Sequence, residues 1–330
     1  MGCSSLKTIR IPSSVEYLGQ GAFQDCKSLE EVEILACIEI SFRAFKCCTS
    51  LRNISIPEGV QKIAVDAFFE CIVLKNAELP SSIKFIGAEA FAGCSSLEVI
   101  NLCDTQITTI CFNTFSCCSS LKEVVMPKTV TEIGVRAFHH CIGLKSVTIP
   151  EGITSISASC FEDCHLLRKV ILPCSITNIM KSAFRNCASL NDITIPSNVV
   201  SIEEGAFEYC SSLKKMVIPE GVKIIEECTF RGCLNLETVR FDGEITYIGP
   251  YAFDGYFELT KMDIPSSVRS IGSHAFSGCE KLESVVISNN IKSIGDNAFL
   301  FCKEGSVHIS EETIFRIFGE HIGAKPLLDK

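Results

Sequence analysis

Hydrophobic positions recur along this chain with a period of 23 residues, and every period carries the same short apolar pattern. The clearest marker is a phenylalanine, usually within Ala-Phe-x-x-Cys, and successive phenylalanines are 23 residues apart except for one gap of 22 and one of 24. These phenylalanines are Phe23, Phe45, Phe68, Phe91, Phe115, Phe138, Phe161, Phe184, Phe207, Phe230, Phe253, Phe276 and Phe299. A fixed period in this range is typical of a solenoid, whose units bury their apolar faces against neighbouring units.

Within one period, the apolar spacing predicts one short strand followed by an irregular return. Leu144, Val147 and Ile149 follow the pattern L-x-x-V-x-I, and the last two are separated by the strand period of two. Proline follows directly in nine periods and ends the strand, because it lacks a ladder donor. Two more apolar residues come next, often before a glycine that we interpret as a tight turn. We therefore predict an α/β solenoid with one parallel sheet, an irregular or short-strand opposite side and little helix.

The repeat pattern also predicts the domain organisation. Residues 1–309 form a single solenoid of about 13 to 14 repeats. The segment Gly2–Leu6 recurs verbatim at Gly93–Leu97, so we expect the chain to begin partway through a repeat and to carry no secretion leader. Residues 310–330 are predicted to be a C-terminal cap. Apolar residues near Ile314 and Phe318 fit either a short helix or a degenerate half-repeat, and both alternatives remain open.

Individual units resemble a known family. Ile264-Pro265-Ser266-Ser267-Val268, followed by Ile271-Gly272 and Ala275-Phe276-Ser277-Gly278-Cys279, are similar to the BspA-like leucine-rich repeats, and the similarity extends over residues 1 to about 309. The resemblance implies a horseshoe or superhelical solenoid with its sheet on the concave face. It also implies kinship with surface proteins of mucosal microbes that bind matrix glycoproteins such as fibronectin and fibrinogen. No binding motif of the family transfers residue by residue.

Composition narrows the classes of partner. The 330 residues carry a net charge of −9, which argues against a nucleic-acid partner. No apolar run approaches the roughly 18 residues that span a bilayer, so we predict no membrane span. Walker, nucleophile-elbow, H-E-x-x-H and dinucleotide motifs are absent from the sequence, and we predict a non-catalytic protein without a cofactor.

The 21 cysteines suggest chemistry at first, but most of them share one repeat position. This cysteine ladder consists of Cys3, Cys26, Cys48, Cys71, Cys94, Cys118, Cys141, Cys164, Cys187, Cys210, Cys233, Cys279 and Cys302, interrupted by Tyr256. We interpret its members as reduced thiols that fill interior slots, which fits a reducing compartment. No C-x-x-C pair occurs. The densest group, His139, His140 and Cys141 near Asp163, should place thiol and imidazoles on opposite sides, so we predict no metal site.

A candidate ligand surface lies on the exposed side of the predicted sheet. One column of flanking positions is β-branched and about 20 Å long, and it runs beside a column of cations. The members of the first column are Val125, Thr148, Ile171, Thr194 and Val217, and those of the second are Lys122, Lys145, Arg168 and Lys214. An apolar strip beside basic residues in an acidic protein favours recognition of a partner. The competing interpretation is an ordinary solvated strand face.

Two functions follow from these observations. The resemblance favours a surface adhesin that binds a protein or glycoprotein, including extracellular matrix proteins, through its concave sheet. The cysteines and the absence of a leader instead favour a cytoplasmic scaffold for protein–protein interaction. Cellular location therefore stays open between the cell surface or secretion and the cytoplasm. An uncapped N-terminal edge also predicts self-association through exposed backbone groups.

Overall fold

The computed structural model describes residues 2–318. The chain divides into two compact units, one ending at Ser175 and the other beginning at Ile176. Each unit is a solenoid of parallel strands, in which most coils of about 23 residues contribute one strand to each of two columns. Tyr17 and Lys261 form only isolated bridges at the corresponding positions of their coils.

Strands of the first column in unit 1 are three or four residues long and follow the leucine of each repeat. They are β1 (Thr8–Ile11), β2 (Glu31–Ile34), β4 (Asn53–Ser55), β6 (Asn76–Glu78), β8 (Val99–Asn101), β10 (Glu123–Val125), β12 (Ser146–Thr148) and β14 (Lys169–Ile171). The second column contains two-residue strands on the return path. They are β3 (Glu39–Ile40), β5 (Lys62–Ile63), β7 (Phe85–Ile86), β9 (Thr109–Ile110), β11 (Glu132–Ile133) and β13 (Ser155–Ile156).

Unit 2 repeats the arrangement of two columns. Its first column comprises β16 (Asp192–Ile193), β18 (Lys215–Ile218), β20 (Thr238–Phe241), β23 (Val285–Val286) and β25 (Val307–His308). Its second column comprises β15 (Asn178–Ile179), β17 (Ser201–Ile202), β19 (Ile224–Ile225), β21 (Tyr247–Ile248), β22 (Ser270–Ile271) and β24 (Ser293–Ile294). The helix α1 (Glu311–Phe318) follows.

Strand pairing places equivalent repeat positions opposite one another. Val147 of β12 pairs with Val170 of β14, and Met216 of β18 pairs with Val239 of β20, each in parallel register and 23 residues apart. Side chains along the first column alternate between buried and exposed, as in Glu123–Val125. The prediction of a parallel-strand solenoid with little helix is therefore confirmed.

The segment around each phenylalanine is a chain of tight turns that bonds to the following coil. In the coil of Phe68, the N–H groups of Asp66, Phe68 and Glu70 donate to carbonyls one coil later, at 3.1, 2.7 and 2.8 Å. The N–H groups between them close i→i−3 turns within the coil. This alternation requires two left-handed residues per coil, here Asp66 (φ 58°) and Glu70 (φ 55°). Most of the residues in this conformation are not glycine, so the sequence carries little signal for it.

The glycines before these turns were expected to adopt a tight-turn conformation, but the structure gives them a different role. Gly87 and Gly272 do not have a positive φ. A Cβ atom on Gly87 would instead lie 2.5 Å from the backbone nitrogen of Val65, and one on Gly272 would lie 2.4 Å from that of Pro250. Here glycine permits two consecutive coils to approach closely.

The repeat phenylalanines form a stack within each unit, and all of them from Phe45 onward are buried. In unit 1, consecutive rings from Phe23 to Phe161 have centroids 5.1–5.7 Å apart and are nearly parallel. In unit 2, the rings from Phe184 to Phe299 have centroids 5.2–5.6 Å apart. Burial of each ring stabilises the fold by roughly 2 to 3 kcal/mol.

The cysteine ladder is buried from Cys26 to Cys279, whereas Cys3 is exposed and Cys302 is partly buried. The ladder also has a second role that the sequence did not reveal. Most of its thiols donate to the carbonyl oxygen of the phenylalanine one coil earlier, as Cys71 Sγ does to Phe45 O at 3.1 Å. That carbonyl also accepts the N–H of Cys48 in its own coil. The same thiol–carbonyl bond is formed by Cys48, Cys94, Cys118, Cys141 and Cys164 in unit 1 and by Cys210, Cys233, Cys279 and Cys302 in unit 2. Cysteine therefore combines a small apolar volume with a weak donor.

Tyr256, which interrupts the ladder, satisfies the same carbonyl by another route. Its hydroxyl donates to Phe230 O at 2.9 Å, and its ring packs edge-on against Phe253 with centroids 5.6 Å apart. The side chain is fully buried, and burial raises the pKa of its hydroxyl, which stays protonated.

Tyr256→Cys, which restores the repeat pattern, is expected to destabilise unit 2 by about 3 kcal/mol. The thiol can still donate, but removal of the ring leaves a cavity that the surrounding coils fill only in part. Tyr256→Phe keeps the ring and removes only the donor, so we expect a smaller loss of about 1 to 2 kcal/mol. Urea unfolding of the three proteins measures both values. Equal stability of Tyr256→Cys and the parent protein would contradict the cavity argument.

The described part of the predicted C-terminal cap is helical. Ser310 precedes α1, and its hydroxyl accepts the N–H of Thr313. Asn289 accepts the hydroxyls of both residues through Oδ1, and Arg316 Nη2 donates to the carbonyls of Asn289 and Ile291 at 2.7 and 2.6 Å. These bonds attach the helix to the preceding coil of unit 2. Residues 319–330 of the predicted cap lie outside the described residues.

Candidate functional site

Three of the predicted contact residues lie together on the exposed face of the unit 1 sheet. Val125, Thr148 and Ile171 are the last residues of β10, β12 and β14, and Thr148 pairs directly with Ile171. All three are exposed, with 45% of Val125 and 48% of Ile171 accessible to solvent. We call these three residues the apolar strip.

Predicted cations accompany the strip at the other end of the same strands. Lys145 and Arg168 immediately precede β12 and β14 and are exposed. Neither forms an ion pair with any residue between 2 and 318. Lys122 differs, because its Nζ pairs with Glu98. Hydrogen bonding to Lys122 lowers the pKa of the Glu98 carboxyl. The two unpaired cations make the surface beside the strip positively charged.

The sheet of unit 1 opens at the centre of the predicted surface. β10 is the last strand of a ladder that starts at β1, and β12 starts another with β14; no strand pairing joins β10 to β12 in the described part of the chain. The coils stay joined next to the opening, where Lys145 N donates to Lys122 O at 3.2 Å. They approach again beyond the strands, where a Cβ atom on Gly152 would lie 3.3 Å from Val130 O. The opening is therefore local.

A cleft of about 510 Å³ occupies this opening. Its lining is mostly apolar and includes Val125, Met126 and Pro150, with Thr148 at its exposed side. Met126 is only partly buried, whereas the equivalent Ile149 is buried in the next coil. Sequence reasoning missed the cleft, because the L-x-x-V-x-I pattern is intact in both coils that form it.

The remaining predicted residues lie in unit 2. Val217 is in β18 with 41% of its surface exposed, opposite Arg240 of β20. Thr194 follows β16, and Lys214 precedes β18; both are exposed. All three residues are therefore accessible to solvent.

A second group of polar side chains in unit 1 has more contacts than the sequence suggested. His139 Nε2 and His140 Nδ1 both face Asp163 Oδ2, at 3.7 and 3.8 Å, and Ser116 Oγ lies 3.5 Å from His139 Nδ1. Burial lowers the pKa of His139. Ser116 is buried, so its hydroxyl is not available to a substrate. Between residues 2 and 318, no three His, Cys, Asp or Glu side chains are placed to hold a metal ion.

None of the helices within residues 2–318 has the length and apolar character needed to cross a bilayer.

Comparisons with known proteins agree with the repeat architecture. A leucine-rich repeat protein from Bacteroides ovatus is 28% identical, with a TM-score of 0.66, over 91% of this chain and 78% of that one. A leucine-rich repeat protein from Eubacterium ventriosum is 20% identical, with a TM-score of 0.58, over 92% and 90% of the two chains, which supports the fold alone. No curated protein matches the chain. The BspA type leucine rich repeat region (6 copies) matches residues 1–98, 38–164, 108–234 and 200–320. The chain thus belongs to the BspA-type leucine-rich repeat family.

Proposed function

We propose that this protein is a surface adhesin that recognises a host or matrix glycoprotein through the apolar strip of unit 1. The observation that supports the proposal is the exposure of Val125 and Ile171 beside the unpaired cations Lys145 and Arg168. Apolar side chains that project from a sheet between charged neighbours are a common form of protein contact surface. The choice of a matrix glycoprotein rests on the family resemblance.

The apolar strip and the cations would contribute to binding in different ways. Covering the strip removes apolar area from water, and each square ångström contributes about 25 cal/mol before the costs of association are subtracted. The cations would accelerate encounter with an acidic partner and set its orientation. Neither contribution requires a conformational change, because the strip lies on strands that are fixed by inter-coil hydrogen bonds.

Binding to immobilised fibronectin and fibrinogen tests the proposal. We expect Ile171→Glu to weaken binding at least tenfold, since it places a charge within the apolar part of the contact. Val286→Glu is the matched control: Val286 occupies the same repeat position in unit 2, is 65% exposed and lies outside the strip. Absence of micromolar binding to either glycoprotein, or equal loss in both variants, would overturn the proposal.

An intracellular interaction scaffold is the second candidate, favoured by one observation. Ladder thiols such as Cys71 and Cys94 act as hydrogen-bond donors, which requires them to stay reduced. Alkylation of the native protein directly from its cells distinguishes the two functions, because oxidised exposed cysteines would count against the scaffold. Self-association through the N-terminal edge stays a prediction.

A further inference from the structure

The cleft between β10 and β12 differs from the rest of the unit 1 sheet, and it lies within the surface assigned above to recognition. We propose that this cleft receives one apolar side chain of an extended acidic peptide segment, whose carboxylates face Lys145 and Arg168. This inference rests on the proposed function and specifies the chemistry of the partner.

Shape supports a single apolar anchor. About 510 Å³ is within the range of pockets that enclose small ligands or side chains, and the opening is bounded at both ends by contacts between the coils. Val125, Met126 and Pro150 supply the apolar wall. Methionine adapts its shape to what it contacts, so Met126 suits a site that accepts an inserted side chain. The adjoining strand pairs, β8 with β10 and β12 with β14, are closed.

Charge determines where the acidic part of the segment lies. Glu123 and Glu151 are on the rim of the cleft and repel a carboxylate there, although Lys128 offsets part of their charge. Lys145 and Arg168 lie before the strands, three residues from Thr148 and Ile171 respectively. Three residues of extended chain span about 10 Å, so the acidic residues should be about three positions from the anchor. Opposite charge at that distance complements the two unpaired cations.

Two fluorescein-labelled peptides serve as probes. One is Gly-Asp-Asp-Ser-Gly-Phe-Gly-Ser, and the other is its reversed sequence, because either chain direction satisfies the spacing. Matched peptides replace both aspartates with lysine or the phenylalanine with glycine. Fluorescence polarisation with the full chain should show binding of at least one acidic probe, at least tenfold weaker binding of both matched peptides, and loss of affinity with added salt.

Variants locate the site. Thr148→Trp fills the cleft from an exposed position and should weaken probe binding at least tenfold. Ser55→Trp is its control, because Ser55 is the exposed equivalent of Thr148 in β4, within a closed part of the ladder. Lys145→Glu with Arg168→Glu should weaken binding of the acidic probe and improve that of the lysine peptide. Arg52→Glu, at the equivalent position before β4, should change neither.

The inference is overturned if Thr148→Trp leaves the affinity for the probe unchanged, or if Ser55→Trp reduces that affinity as much as Thr148→Trp does. Absence of binding by both acidic probes overturns it as well. Failure of the proposed function is distinct: it appears as fibronectin and fibrinogen binding that is absent or insensitive to Ile171→Glu. If glycoprotein binding depends on Ile171 but not on Thr148, the recognition surface stands and the anchored acidic segment is wrong.

Discussion

Raising the pH from 8 to 11 is expected to unfold the protein, because the ladder thiols cannot ionise while they are buried. Burial raises the pKa of Cys94 and of Cys233 to about 12, and it also raises the pKa of Cys71 and Cys141. A thiol in the unfolded chain has a pKa near 9.0. Above pH 9 the unfolded state therefore loses protons that the folded state retains, and the free energy of unfolding falls as the pH rises.

The size of this effect follows from the number of thiols. Each one contributes about 1.4 kcal/mol of lost stability per pH unit, from roughly pH 9 up to its folded pKa. The combined loss of stability from several thiols exceeds the roughly 5 to 15 kcal/mol that stabilises a typical domain. Stability from the ladder is thus fully present below pH 9 and lost between about pH 9 and 12.

Urea unfolding at a series of pH values, in the presence of a reductant, measures the expected slope. Cys141→Ala should reduce the slope by the contribution of one thiol, about 1.4 kcal/mol per pH unit. Cys103→Ala removes a thiol that is exposed to solvent and serves as the matched control. An unfolding free energy that is constant from pH 8 to 11 would contradict the account of the ladder.

Phe138→Ala is expected to cost unit 1 about 3 to 5 kcal/mol, the range for large-to-small changes of a buried aromatic residue. The Phe138 ring is fully buried, with centroids 5.5 Å from those of both Phe115 and Phe161. Its removal leaves a gap in the middle of a stack that continues on both sides. Denaturant midpoints, with a check that the slope is unchanged, give the value.

Phe112→Ala is the matched control for this substitution. Phe112 is in the same unit, three residues before Phe115, and 44% of its surface is exposed. We expect less than about 1 kcal/mol of destabilisation there, as for most surface substitutions. A similar loss at both positions would show that aromatic content, rather than the buried stack, determines the stability of unit 1.

Periodicity made the fold predictable, because each coil repeats the same apolar positions and parallel stacking is the arrangement that buries all of them. Val147 and Val170 could be paired from spacing alone. The left-handed residues at the turns could not be predicted, since Asp66 and Glu70 carry no conformational signal of their own. The thiol–carbonyl bonds could not be predicted for a different reason. A buried cysteine is already explained by its small apolar side chain, so its burial does not indicate a hydrogen bond.

Exposure of the candidate contact residues was predictable from strand alternation, which placed Val125, Thr148 and Ile171 on the solvent side. The sequence did not show which residues of the basic column form ion pairs. Lys122 is neutralised by Glu98 one coil earlier, and this depends on side-chain geometry across coils. The cleft depends on backbone separation between β10 and β12, to which no single residue type corresponds.

The thiol–carbonyl bonds give each unit a chemical polarity along its axis. Every bond runs from a cysteine back to the coil before it, as from Cys141 to Phe115. Removal of the coil before a ladder cysteine leaves its thiol without an acceptor, which costs little because sulfur is a weak donor. Removal of the coil after a phenylalanine carbonyl takes away the thiol donor, but the carbonyl keeps the N–H donated within its own coil, as Phe115 O keeps that of Cys118. Shortened versions of this protein should therefore lose little stability through the ladder bonds, whichever neighbouring coil is deleted.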